Sequence, residues 1–221
     1  MNIISIEGKG LSSNCFIISN TTKDKVIIID LGLNGQFTNF KLKKELMTFA
    51  KNDFEIPIEV FLTHCHLDHI LGFDNLSDFK NVTYSSSQLT AQHINSRDAV
   101  TLLSMFSKAK IEFTVTKQYS DEEILPLNGE EIMVLHTPGH TDGSACLYDK
   151  KEKALFAGDL VFAGGGVGRV DLPTGNQKVI LSSLEKLTKM DIQHLYSGHG
   201  PNLHSRIREN ILLAKQQMES W

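Results

Sequence analysis

Six consecutive residues, His64-Cys65-His66-Leu67-Asp68-His69, constrain this chain more than any other segment. They follow Val60-Phe61-Leu62-Thr63, a run with the length and the β-branched and aromatic content of a strand. On a helix, His64 and His66 would point to nearly opposite sides. In extended chain, positions i, i+2 and i+4 share a face, so His64, His66 and Asp68 can converge. Imidazole and carboxylate are the ligand types that divalent metals such as zinc prefer. The pattern therefore predicts a metal site where a strand ends. By the same alternation Cys65 faces away, and it reads as a small structural residue rather than a ligand or nucleophile.

Three later points share that character, each a strand-to-loop junction marked by glycine. They are Thr137-Pro138-Gly139-His140-Thr141 after the run ending at His136, then Phe156-Ala157-Gly158-Asp159, and Ser197-Gly198-His199-Gly200-Pro201 after the run 193–196. Glycine beside a ligand lets backbone turn sharply and come close to a metal. Singly, each is the kind of turn found on any surface. Together with the first motif they supply a complete ligand set for two metals.

Short apolar runs recur along the chain at 14–19, 26–30, 58–63, 131–136, 144–148 and 154–157, and they are strand-length. Turns are expected at 21–25 and 149–153. Helical spacing marks 37–51 (through Phe40, Lys43, Lys44 and Met47), 99–108, 177–187 and 203–218. Strands cluster, alternate with helices, then cluster again, which predicts one α/β domain over residues 1–221 with sheets inside and helices outside. The formal charge of -4 and scattered Lys and Arg leave no stripe for a long nucleic acid. No apolar run approaches the ~18 residues of a membrane span, and the first ten residues lack a secretory pattern. Cytoplasm is the expected compartment, with Cys15, Cys65 and Cys146 as reduced thiols.

His64-x-His66-x-Asp68-His69 followed by His140, Asp159 and His199 resembles the metal motif of the metallo-β-lactamase superfamily. The stretches 156–162 and Gly168-Arg169-Val170-Asp171-Leu172-Pro173 are similar to its glyoxalase II-like branch. Asn14-Cys15-Phe16 and Ile29-Asp30-Leu31-Gly32 extend the likeness over essentially the whole chain. The resemblance implies a four-layer αββα sandwich with metals at one edge. His64, His66 and His140 would hold one metal, Asp68, His69 and His199 a second, and Asp159 would bridge. Asp30 would lie beneath them, bonding a turn at its strand end. The implied cofactors are two divalent ions, zinc foremost, with iron or manganese as alternatives.

The implied activity is hydrolysis of a thioester or ester in a small-molecule substrate, with hydroxide as nucleophile and Asp68 orienting it or carrying its proton. Two divalent ions carry four positive charges, whereas Asp68, Asp159 and hydroxide return three, so ionisation of water is favoured. A branch that oxidises persulfides with a single iron held by His64, His140 and Asp159 shares the pattern, as do phosphodiesterases and nucleases. Acidic charge and the lack of a clamping domain weigh against the nucleases. Glyoxalase II proper carries a longer helical region that helps bind glutathione, whereas one helix's worth of chain follows His199 here. His136, His194 and His204 read as structural or exposed, Arg169 as an ion pair with Asp171 or, second, a contact for an anionic substrate group, and Gly164-Gly165-Gly166 as a mobile or tightly packed loop near the metals. A homo-oligomer is compatible with everything above.

Overall fold

Alternation along the strands sorts this chain into two sheets, each apolar on both faces. The computed structural model describes residues 1–20, 24–33, 37–51, 53–105, 109–127 and 129–220. In β2 (Cys15–Ser19), Cys15 and Ile17 enter one apolar cluster while Phe16 and Ile18 enter another. Strand β10 (Ala154–Gly158) does the same, with Leu155 and Ala157 on one side and Ala154 and Phe156 on the other. A strand buried on both faces reads as a continuous apolar run, because no face is left for water.

The first sheet runs in the order β1 (Asn2–Ile6), β2, β3 (Val26–Ile29), β4 (Ile58–Phe61), β5 (Val82–Ser87) and β6 (Lys117–Tyr119). Its first three strands are antiparallel, and β3 to β6 are parallel. The second sheet orders β11 (His194–Ser197), β10, β9 (Ala145–Asp149), β8 (Glu130–His136) and β7 (Ile124–Leu127), with only β10 and β11 parallel. Between the sheets lie Phe16, Ile27, Ile29, Phe61, Val134, Leu147 and Phe156. Helices α1 (Phe37–Ala50) and α3 (Gln88–Ser96) cover the first sheet through Leu42, Leu46, Ala50, Ala91 and Ile94. Helices α4 (Gln177–Thr188) and α5 (Ile207–Glu219) cover the second through Ile180, Leu184, Ile211 and Met218. Three apolar interfaces make four layers, as the αββα expectation required. Among the described residues no helix is long and apolar enough to cross a membrane.

Several expectations change. The helix expected over 99–108 is two 3-10 turns, Ala99–Thr101 and Leu103–Met105, separated by Leu102 in the left-handed region (φ 58°). Asp98 caps the first turn by accepting from Val100 N at 3.0 Å, and the left-handed residue stops propagation; Phe106 lies outside the described residues. The final helix begins at Ile207, not Leu203, because Leu203 pairs with Leu195 and Arg206 is left-handed. The inward face of α1 is Leu42, Leu46 and Ala50 rather than one through Met47, and the side chain of Phe40 lies outside the described residues. Most of the turn expected at 21–25 also falls outside them.

Candidate metal centre

All the proposed ligands leave the carboxyl ends of strands. His64 and His66 follow β4, His140 follows β8, Asp159 follows β10 and His199 follows β11, while Asp68 and His69 sit on the short helix α2 (Leu67–Ile70). The fold therefore brings together all seven residues singled out in the sequence. One ligand atom from each of His64, His66 and His140 lies within 4.8 Å of the others, and Asp68, His69 and His199 form a second such trio. Asp159 faces both. Its Oδ1 is 3.2 Å from His69 Nε2, and its Oδ2 is 3.6 Å from both His140 Nε2 and His199 Nε2.

The far nitrogens of three rings are fixed by acceptors, which aims the near nitrogens. His140 Nδ1 lies 2.7 Å from the Arg169 carbonyl, which can only accept, so that nitrogen carries the proton. Thr63 Oγ1 gives its proton to Asp30 Oδ2 at 2.8 Å and can accept from His64 Nδ1 at 3.1 Å. His69 Nδ1 is 2.7 Å from Asp30 Oδ2. His64 and His140 then present an Nε2 lone pair inward, the tautomer a metal requires, and all three rings have the orienting acceptors that metal-binding imidazoles ordinarily have.

The resulting centre is unsatisfied within the protein itself. Nε2 of His64, His66 and His140 are buried and make no hydrogen bond, and the buried His69 Nε2 and Asp159 Oδ1 have only each other at 3.2 Å. Buried polar atoms are almost always paired, so three orphaned nitrogens beside that one close pair fit a bound cation. Borderline divalent cations suit this set of imidazoles and carboxylates. Burial, reinforced by neighbouring imidazoles, pushes the pKa of His64 well down and that of His66 to about 3. Burial likewise lowers His140. These rings stay neutral at pH 7, as ligands must. Burial opposes a charge on His69 too, yet Asp159, Asp30 and Asp68 outweigh it and raise its pKa. Burial also works against ionised Asp68 and Asp159, and the charge and hydrogen bonds of neighbouring histidines still hold both below the usual carboxylate range.

Close packing fixes this geometry. A Cβ on Gly198 would stand 2.3 Å from Asp159 Oδ1 and 2.8 Å from His69 Cε1, so only glycine fits between the ligands. Asn14 braces the loop that carries His199, donating to the carbonyls of Ser197 (2.8 Å) and Gly200 (2.9 Å).

Other sequence expectations resolve plainly. Cys65 is fully buried in the core beneath the first sheet, away from the ligands. Arg169 pairs with Asp171 through two contacts of 2.9 and 2.7 Å. His136 bonds the Tyr119 carbonyl, and His194 and His204 face each other at the surface. The glycine loop is tightly packed, since Asn210 Oδ1 accepts from both Gly164 N and Gly165 N. Asp30 does bond a turn, through Thr63, but it also orients His69, which the strand-end reading missed. Its signal was the acid at the end of an apolar run beside Gly32.

Comparison with known proteins agrees with this geometry. Residues 8–199 match the model of the metallo-beta-lactamase superfamily. A protein of Methanocaldococcus jannaschii named "Probable metallo-hydrolase" is 32% identical over 209 residues, covering 90% of this chain and 92% of that one. Hydroxyacylglutathione hydrolase GloC of Haemophilus influenzae is 29% identical over 210 residues, covering 90% and 91%. The crystal structure of BLEG-1, a B3 metallo-beta-lactamase, superposes with a TM-score of 0.73 at 25% identity over 91% of this chain and 93% of its own. With a family model matched over residues 8–199 and a relative 32% identical along most of both chains, the protein belongs to the metallo-β-lactamase superfamily.

Proposed function

We propose that this protein hydrolyses a thioester or ester, using two divalent ions, zinc foremost, with His64, His66 and His140 around one, Asp68, His69 and His199 around the other, and Asp159 between them. The observation that carries this reading is the convergence of two trios of ligand atoms, with buried Nε2 atoms of His64, His66 and His140 that have no partner in the protein. When bound, such ions bring the pKa of water in contact with them from about 15.7 to about 7 and polarise a carbonyl. Likeness to a hydroxyacylglutathione hydrolase over most of both chains supports a thioester as the bond broken.

The chain's own residues do the rest. Asp68 lines the open side of the centre, with Oδ2 3.1 Å from His199 Nε2. Its lowered pKa keeps it ionised, so it can accept a proton from water and pass it to the leaving sulfur or oxygen. Among the described residues lining this cavity there is no serine or cysteine, and in this reading water is the nucleophile. The oxygen of water bonds the acyl carbon, the carbon–sulfur bond breaks, and the proton leaves with the thiol.

The second trio also bears on the single-iron alternative. Asp68, His69 and His199 would have no ligand duty in a centre built from His64, His140 and Asp159 alone, yet they converge as tightly as the first trio. The test is turnover of S-lactoylglutathione and simple thioesters by protein with its native metals, before and after chelation. Hydrolysis that is lost with the ions and restored by zinc is expected. Oxygen uptake with a persulfide, without hydrolysis, overturns the reading.

A further inference from the structure

The cavity above the metal centre is lined mainly by apolar side chains where the proposed ligands do not reach, with Arg169 the charged exception among the described residues. It has a volume of about 290 Å³, at the small end for ligand pockets. Around its mouth stand Leu11, Leu102, Met105, Phe162, Val167 and Leu172. Leu11 and Met105 are 65% and 63% exposed, and they come from two loops far apart in sequence. A single exposed apolar side chain is ordinary on any protein. Two that converge on one cavity, joined by four half-buried ones, form a collar.

The collar is built and braced. Leu102 is held in the left-handed region, a conformation costly for leucine, and it turns the chain so that both Leu102 and Met105 reach the cavity. The segment that carries them starts at Asp98, and His93 joins Asp98 (Nδ1 to Oδ2, 2.7 Å) to Asp142 (Nε2 to Oδ1, 2.9 Å) in the loop that also carries His140. The loop bearing Leu11 is tied down on its other side. There Ser13 N donates to the Asp68 carbonyl, Leu33 N donates to Ser12 Oγ at 3.0 Å, and Gly8 N donates to Asn14 Oδ1. Among the described residues, Arg169 is the one guanidinium or ammonium group lining the cavity, and Asp171 already takes it in two contacts. Among those residues the collar offers apolar surface and no second fixed cation for a phosphate or carboxylate.

Building on the hydrolase reading above, we propose that the group held in this collar is an apolar acyl chain, so that the preferred substrates are thioesters of hydrocarbon acids rather than of small hydroxy acids. Buried hydrocarbon should raise the specificity constant by roughly fourfold per added methylene until the cavity is full.

The experiment uses metal-loaded protein and uncharged N-acetylcysteamine thioesters with acetyl, butyryl, hexanoyl and octanoyl chains, alongside non-hydrolysable S-alkyl thioethers of the same lengths. The proposal expects kcat/KM to climb with chain length and thioether affinity to climb in parallel. Met105→Glu should flatten both series, and its side chain is exposed enough for the fold to tolerate the change. Leu212→Glu, also at an exposed leucine but on α5 and not among the residues lining this cavity, should leave both slopes intact. Turnover that is flat or falls with chain length overturns the proposal while leaving the hydrolase reading standing. Should no thioester turn over, the hydrolase reading fails, and the thioether series alone decides: rising affinity upholds the apolar chain, and flat affinity rejects it.

Discussion

Asp30 shows how much of this centre rests on a residue that touches no metal position directly. Its backbone lies in the left-handed region (φ 56°), where asparagine and aspartate are the tolerated side chains after glycine. Its carboxylate accepts from Thr63 N at 2.8 Å and Thr63 Oγ1 at 2.8 Å and orients His69 Nδ1 at 2.7 Å. Asp30→Asn keeps the backbone and the shape but removes a charge that raises the basicity of His69. Metal affinity should fall about 10- to 100-fold, the usual effect of losing such a support. Competition with a chromophoric chelator measures it, and unchanged affinity would leave Asp30 with only its turn to hold.

At the scale of elements, the amino ends of the parallel strands have their own polar cluster, opposite the ligands. Glu59 of β4 is buried, accepting from Tyr119 Oη at 2.6 Å, Lys25 Nζ at 2.8 Å and Lys117 Nζ at 3.1 Å. Lys25 also donates to the Pro126 carbonyl of β7, tying the two sheets together. Burial alone would raise the Glu59 pKa, but bonds to Lys25 and Tyr119 and the charge of Lys117 leave it lowered. A lowered folded-state pKa means stability that is present above the unfolded value of about 4.3 and lost as pH falls through the folded value. Glu59→Ala should therefore cost about 3 kcal/mol in urea unfolding at pH 7, with the gap to the parent protein closing in acid.

The strands that sequence made legible, β2, β3, β4, β8, β9, β10 and β11, are short apolar runs buried along most of their length. Those it hid are polar or at edges. β1 is half-exposed, β7 alternates around Pro126, and β5 ends in three buried serines. Helix α3 is mostly polar and rests on a capping Ser87. The ligands were readable because their chemistry is dense along the chain. The collar was not, because Leu11, Leu102 and Met105 acquire meaning only when distant loops meet.

Across the whole molecule, the centre joins the two halves of the sandwich. His64, His66, Asp68 and His69 come from the first sheet's side, and His140, Asp159 and His199 from the second's. Ions bound there favour the folded state by mass action, about 2.7 kcal/mol at a hundredfold excess over Kd. For a chain of this size that corresponds to about 5–10 °C in Tm, which calorimetry with and without chelator would register. Removing the ions would also leave buried nitrogens on His64, His66 and His140 without partners. The most direct test of the account is the metal content per chain of protein purified without added metal. Two ions per chain are expected, with loading at the shared position lost in Asp159→Ala. A single iron per chain, or two ions retained in Asp159→Ala, would contradict it.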